Sequence, residues 1–309
     1  MAKKNKPAES KTSTAQSAIN NKQLTTKLTW LPAKTFELEF TIGWDQVKKN
    51  YDTVLTKVAQ EVELKGFRKG KAPLEMVEKN VDKSKLYGQV LENLLPQTYI
   101  SSIKQHNLRP ICDPKITPLK TEEGSDWTFK AAACEVPDVT LGDYESKIKA
   151  LTAKDKIWLP GKDKQPTPEK SEVEDKKLKE IFKTLLETCR VDLSAILVEE
   201  EEKRMLSRLL EQVNKIGLTL DEYLTNIHKT LDQLKQEHHH LAEETLKLEF
   251  ILGKIAQIKN FAVSPKEIDD LIAALPDEKS RENLKTETQR AYIASVLRKR
   301  KVIDFLQKI

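Results

Sequence analysis

Eight residues from Thr35 to Ile42 alternate between apolar and polar, with Phe36, Leu38, Phe40 and Ile42 on one side. A period of two predicts a strand with one buried face. Strand-like sequence also occupies Leu24–Leu31 and residues 109–118 and 127–136, where Trp127, Phe129, Ala131 and Ala133 alternate. Helical patterns lie between these segments. Val47, Tyr51, Val54, Leu55, Val58 and Val62 form one stripe of a helix over Asp45–Leu64. A short helix carries Leu74 and Val77. A longer one over Lys85–Gln105 sets Leu86, Val90, Leu94 and Ile103 near one face, with Pro96 placed to interrupt and kink it. The order strands, helices, strands predicts a small α+β domain over 23–144, an antiparallel sheet with helices on one face.

From Leu178 to the end the pattern is helical. Thr219-Leu-Asp-Glu222 follows Gly217 and reads as a capping box, and Ser264-Pro-Lys-Glu267 reads as a second, with Pro at the first helical position. Leu197–Ile216 carries Met205, Leu206, Leu209, Val213 and Ile216 on one stripe. Leu241–Ile258 carries Leu246, Leu248, Ile251, Leu252, Ile255 and Ile258. A last helix over about Leu284–Lys308 carries Ile293, Val296, Leu297, Ile303 and Leu306. Five or six helices joined by short loops predict an all-α domain over 178–309. The segment 145–177 changes composition: Pro160, Gly161, Pro166 and Pro168 sit among Lys, Asp, Glu and Ser, as in an exposed linker. Its apolar island Ile157-Trp158-Leu159 reads equally as an anchor on a neighbouring domain or as a surface feature. Residues 1–22 lack periodicity and read as a disordered, mildly basic tail.

A length of 309 residues suits two domains, and 38% hydrophobic with 33% charged residues gives real cores under a well-solvated surface. The net charge of +5 arises from 53 basic and 48 acidic residues, a near balance unlike that of a dedicated nucleic-acid binder. Cys112, Cys134 and Cys189 are widely spaced and form no Cys-x-x-Cys pair, as expected of small buried residues in a reducing compartment. No apolar run approaches bilayer length, and the start Met-Ala-Lys-Lys-Asn-Lys has no apolar core of a secretory signal. A cytoplasmic protein with no membrane partner is the expectation. His238-His239-His240 invites a metal reading, but adjacent helical residues point about 100° apart and do not close on one ion, so the run reads as a solvated turn or helix end. Arg298-Lys-Arg-Lys301 is either an RNA contact or the polar face of an amphipathic helix, the latter favoured. Glu199–Glu202 reads as a solvated run complementing the helix dipole. No nucleophile–base set, phosphate loop or carboxylate pair stands out, so no catalytic residue, cofactor or metal ligand is nominated.

The most informative segment is Gly66-Phe67-Arg68-Lys69-Gly70-Lys71-Ala72-Pro73. From 65 to 71 it has four basic residues and no acid. Gly66 and Gly70 permit a sharp turn, and Pro73 suits the first turn of the following helix. A Gly-x-x-x-Gly spacing alone is that of an ordinary helix–helix turn. The full string after an amphipathic helix resembles the ribosome-docking loop of the bacterial trigger factor family. So do Glu135–Tyr144, the run Ile196-Leu-Val-Glu-Glu with Arg204-Met-Leu, Gly217–Leu224, and Leu246–Ala256 followed by Val263-Ser-Pro-Lys-Glu.

The resemblance covers roughly 23–144 and 178–309. It implies that Phe67, Arg68 and Lys69, framed by Gly66, Gly70, Lys71 and Pro73, bind a ribosomal protein and RNA beside the exit tunnel. It implies an ATP-independent chaperone for nascent and unfolded polypeptides, assisting folding and export, and allows a homodimer off the ribosome. Most members carry an FK506-binding-type prolyl isomerase domain before the helical domain. The segment 145–177 is too short for one, so that domain and its activity are expected to be absent. The alternatives are a helical adaptor or RNA-associated protein and, less favoured, a prolyl isomerase.

Overall fold

The computed structural model describes residues 25–64, 66–155, 170–274, 281–282, 284 and 286–309, without the side chains of 153–155 and 170–174. The tail 1–22, the prolines at 160, 166 and 168, and Trp158 lie outside the described residues. Strands β1 (Thr26–Leu31) and β2 (Thr35–Ile42) lead into helices α1 (Trp44–Glu61), α2 (Leu74–Asn80) and α3 (Lys83–Gln105). Strands β3 (Lys115–Lys120) and β4 (Trp127–Cys134) complete a four-stranded sheet in the order β1-β2-β4-β3. The described chain is mostly helical beside this small sheet. The buried faces follow the alternation: Phe36, Leu38, Phe40 and Ile42 on β2, and Trp127, Phe129, Ala131 and Ala133 on β4.

The β1–β2 hairpin turns through Pro32–Thr35, with the Thr35 N–H donating to the Pro32 carbonyl at 3.3 Å. Ala33 and Lys34 both take positive φ, 57° and 51°. Two consecutive left-handed residues match the right-handed twist of the strands they join. Helix α3 runs through Pro96 without ending there, contrary to the expected interruption.

A two-stranded ribbon, β5 (Val139–Thr140) with β6 (Arg190–Val191), pairs Val139 with Val191 and Thr140 with Arg190. The helices that follow are α4 (Tyr144–Asp155), α5 (Lys170–Thr188), α6 (Ala195–Lys215), α7 (Leu220–Asn226), α8 (Leu231–Ile258), α9 (Pro265–Ala273) and α10 (Glu287–Lys308). Both expected capping boxes are formed, at Thr219–Glu222 and Ser264–Glu267, and Gly217 has φ +78° at the end of α6. A third box, Thr230–Gln233, opens α8.

Residues 145–155, which composition placed in a linker, are helical. Tyr144 and Ile148 of α4 are buried with Ile181 and Leu185 of α5, Ile251, Leu252 and Ile255 of α8, and Val302 and Leu306 of α10. The physical reason is the apolar spacing Tyr144, Ile148, Leu151, which gives α4 one face able to join a helical core. Residues 170–177, also assigned to the linker, begin α5.

Two compact units emerge. Among the described residues, one comprises 25–27, Glu39–Ser102 and Pro118–Phe129; the other comprises Leu28–Leu38, Ile103–Thr117 and those from Lys130 onward. They partition the chain differently from the sequence grouping at 144 and 177. Within the second unit, Cys134 at the end of β4 is buried with Leu197 and Val198 of α6 and Ala242 and Leu246 of α8.

Candidate functional site: a basic glycine-framed loop

The loop between α1 and α2 is built by two short turns in succession. The Phe67 N–H donates to the Leu64 carbonyl at 3.0 Å, and the Lys71 N–H donates to the Arg68 carbonyl at 2.9 Å. Each turn has a glycine in its third position: Gly66 at φ +91° and Gly70 at φ +74°. That position needs positive φ in a type II turn, where glycine has no Cβ to clash. The four-residue spacing of the glycines is thus the repeat of two consecutive four-residue turns. It leaves Phe67, Arg68 and Lys69 at the join.

The loop ends are held by packing. Helix α1 buries Val47, Tyr51, Val54, Leu55 and Ala59. Tyr51 lies tilted against Tyr87 at 5.0 Å, Tyr87 meets Trp127 edge-on at 5.4 Å, and Trp127 leads on to Phe129 at 6.4 Å. This chain of rings fixes α1 and α3 against β4. Helix α2 buries Val77 and is tied to α1 by the Tyr51 hydroxyl, which donates to Glu78 Oε1 at 3.1 Å. Burial, together with the Glu78 carboxylate, pushes the Tyr51 phenol up to about 12. Pro73 is the N-cap of α2, with φ −60° and ψ 141°, one position before the first-turn place expected for it. Its carbonyl accepts from the N–H groups of Met76 and Val77.

The surface chemistry is mixed. Phe67 is 38% exposed, and Leu74 and Met76 on α2 are 46% and 43% exposed. Arg68, Lys69, Gly70, Lys71 and Pro73 are all exposed, and among the described residues no carboxylate lies within ion-pair distance of Arg68, Lys69 or Lys71. Apolar groups beside unpaired cations suit an acidic surface containing an apolar pocket. The sequence marks Phe67 at the loop tip, and gives Leu74 and Val77 together as the apolar residues of the short helix that follows. Three residues apart, Leu74 and Val77 lie toward the same side of the helix, and only Val77 is buried, so packing and not spacing separates them.

The other singled-out groups are engaged in packing. Glu199–Glu202 begins after the first turn of α6, where the dipole has faded. Instead of being solvated, its carboxylates are paired: Glu199 with Lys115 at 3.2 Å, Glu200 and Glu201 with Arg204, and Glu202 with His239 Nδ1 at 2.9 Å. The histidine run lies inside α8, not at a turn or helix end, and His239 fastens α8 to α6. Among the described residues no group of three His, Cys, Asp or Glu is placed to hold a metal ion. In the basic tetrad, Lys299 pairs with Glu249 at 2.5 Å and Lys301 with Glu267 at 2.8 Å. Lys301 also donates to the Ala262 carbonyl at 2.8 Å. Half of the tetrad is thereby neutralised. No helix among the described residues is long and apolar enough to cross a membrane.

The family model described as bacterial trigger factor protein matches residues 25–157, and the model for the C-terminus of the same protein matches residues 167–308. A trigger factor of Streptococcus suis (strain 05ZYH33) is 36% identical over 116 residues, 38% of this chain and 27% of that protein. A trigger factor of Streptococcus pneumoniae (strain Hungary19A-6) is 37% identical over 109 residues, 35% of this chain and 26% of that protein. The matches span about a quarter of the length of these curated relatives. A solved structure from work on promiscuous substrate recognition in folding and assembly activities of the trigger factor chaperone aligns with TM-score 0.58. It covers 92% of this chain and 99% of that chain at 12% identity, a likeness of fold. With one family's models matching both its N-terminal and its C-terminal portions, the chain belongs to the bacterial trigger factor family.

Proposed function

We propose that the protein is a cytoplasmic, ATP-independent chaperone that docks beside the ribosomal exit tunnel and holds nascent and unfolded polypeptides. The observation that supports this reading is the glycine-framed loop, with exposed Phe67 beside Arg68, Lys69 and Lys71, which have no carboxylate within ion-pair distance among the described residues. Phe67 would fill an apolar pocket on a ribosomal protein while Arg68 grips carboxylate or RNA phosphate in bidentate fashion. The 23–144 portion is assigned to docking and the 178–309 portion to clients. Exposed Ile216, Leu241, Ile258 and Tyr292 are candidates for weak apolar contact with an unfolded chain. Tethering at the exit raises the effective concentration, so each such contact can be weak and still be occupied. Release then follows as the client buries its own apolar surface. No prolyl isomerase activity and no cofactor belong to this reading.

Ribosome co-sedimentation of the wild type against the triple variant Phe67→Ala/Arg68→Ala/Lys69→Ala tests the docking. The variant should stay in the supernatant while its circular dichroism and melting remain those of the wild type. Equal pelleting of the two proteins overturns the docking assignment. A peptide prolyl-isomerisation assay should return the uncatalysed rate. The wild type should also slow aggregation of a denatured client at stoichiometric amounts without nucleotide. Failure there would favour the adaptor reading, which the pairing of Lys299 and Lys301 otherwise weakens.

A further inference from the structure

The thiols of Cys112 and Cys134 are in direct contact, with 3.3 Å between their Sγ atoms. The Cys134 backbone N–H donates to Cys112 Sγ, also at 3.3 Å. The main chain brings them together: the Ile111 N–H donates to the Cys134 carbonyl at 3.0 Å, so the segment before β3 lies alongside the end of β4. The two sulfurs differ in access, Cys134 being fully buried and Cys112 partly open. They also differ in character. The hydrogen bond from Cys134 holds the Cys112 thiol down at about 7, against burial and the nearby Glu200 and Asp113 carboxylates, which act the other way. The same bond and burial push Cys134 up. The third cysteine, Cys189, is buried apart from this pair, and burial raises it as well.

An accessible sulfur with thiolate character next to a second, shielded sulfur is the arrangement of an attacking and a resolving cysteine. We propose that Cys112 and Cys134 are a reversible redox modification site that a hydroperoxide closes into an intramolecular disulfide. The Cys112 thiolate attacks the terminal peroxide oxygen. The O–O bond breaks and its electron pair leaves with the alcohol or water, giving Cys112 sulfenic acid. Cys134 sulfur then attacks Cys112 sulfur, its proton goes to the departing hydroxide, and water leaves. Two thiols and one hydroperoxide become one disulfide, one alcohol and one water. A thiol reductant reverses the change by exchange. Only a short closure is needed, since a disulfide bond is roughly 2 Å long.

The site lies where it can be felt. Ser194, the N-cap of α6, accepts from Thr35 Oγ1 at 2.8 Å and also contacts Cys134. The Asp113 N–H donates to Glu200 of α6 at 3.3 Å. A closed disulfide would fasten the 109–113 segment to β4 beneath the first turns of this helix.

The test treats the full chain with hydrogen peroxide, alkylates the remaining thiols and maps peptides by mass spectrometry without reduction. A peptide pair joining Cys112 to Cys134, lighter by two hydrogen atoms, should appear while Cys189 stays alkylated. Dithiothreitol should restore both thiols. In Cys134→Ser, which keeps a hydroxyl donor beside Cys112 but no resolving sulfur, Cys112 should accumulate as sulfenic acid captured by dimedone, and in Cys112→Ser, Cys134 should remain a thiol. The wild-type map stands alone should either variant fail to fold. Oxidation of Cys189 as fast as Cys112, disulfides only between chains, or no linked peptide would each overturn the proposal.

Discussion

Replacing either loop glycine by alanine separates backbone strain from steric contact within one turn pair. Both positions have positive φ, +91° at Gly66 and +74° at Gly70. An L-residue there is strained by about 1–2 kcal/mol, offset by about 0.4–1 kcal/mol because alanine restricts the unfolded chain. Gly66→Ala meets nothing within 4 Å, so its net cost should be about 1 kcal/mol. Gly70→Ala carries the same strain and also sets its Cβ 3.3 Å from the Gln60 carbonyl oxygen and 3.6 Å from Gln60 Cα. Gln60 belongs to the last turn of α1, and its backbone cannot swing aside as a side chain can. Forcing it to shift adds about 1 kcal/mol, giving about 2 kcal/mol for Gly70→Ala. Urea denaturation followed by tryptophan fluorescence reads the difference, since Trp44 and Trp127 lie in the same compact unit as the loop. If Gly66→Ala destabilises as much as Gly70→Ala, or if both are neutral, the two-turn account of this loop is wrong.

Other consequences are open to direct measurement. The hairpin turn at Ala33 and Lys34 adopts left-handed conformations with residues that disfavour them, so Ala33→Asn/Lys34→Gly should stabilise by about 1 kcal/mol in chemical denaturation. Gly253 lies inside α8 with open space around it, and Gly253→Ala should stabilise by about 0.5–1 kcal/mol, a sign opposite to that at the loop. Tyr51 and Tyr144 are both raised to about 12 by burial and then by a neighbouring glutamate. The folded state therefore holds their protons more tightly than the unfolded state does. Their contribution is complete below pH 10 and is lost as pH rises toward 12, which phenolate absorbance on alkaline titration should track. Lys259 bonds to Glu145 at 2.6 Å and holds its carboxyl below the ordinary range. That contribution is present above the usual carboxylate pKa and fades as pH falls, so Glu145→Gln should flatten the acid limb of the stability profile.

What the sequence revealed divides along local and distant interactions. The alternation on β2 and β4 and the capping boxes at Thr219 and Ser264 depend on near neighbours, and the structure has them as read. Thr230–Gln233 has the same spacing of hydroxyl and amide side chains and forms the same box. The turn at Ala33–Lys34 could not be foreseen, because neither residue is a usual left-handed type. Helix α4 had a legible stripe, but the prolines downstream drew its residues into a linker reading. The partners of Glu199–Glu202 lie on β3 and α8 as well as on α6 itself, so charge pattern alone suggested solvent. At the loop, glycine spacing and charge were legible. The inward turn of Val77 and the outward turn of Leu74 depend on where α2 packs, which composition does not encode.

The pairing of α4 with α5 has a consequence for how chains of this family can differ in size. Gly142, just before α4, approaches Thr188 at the end of α5 so closely that a Cβ there would lie 2.5 Å from the Thr188 carbonyl oxygen. Ile148 near the start of α4 packs with Ile181 and Leu185 late in α5. The two helices therefore run in opposite directions, and Asp155 and Lys170 open toward the same side. Whatever joins those two residues begins and ends on one helical core. Closure entropy rises only with the logarithm of length, so making that connection eight times longer would cost about 2 kcal/mol. A self-folding module spliced between Asp155 and Lys170, or removed from there, leaves every buried contact of α4, α5, α8 and α10 in place.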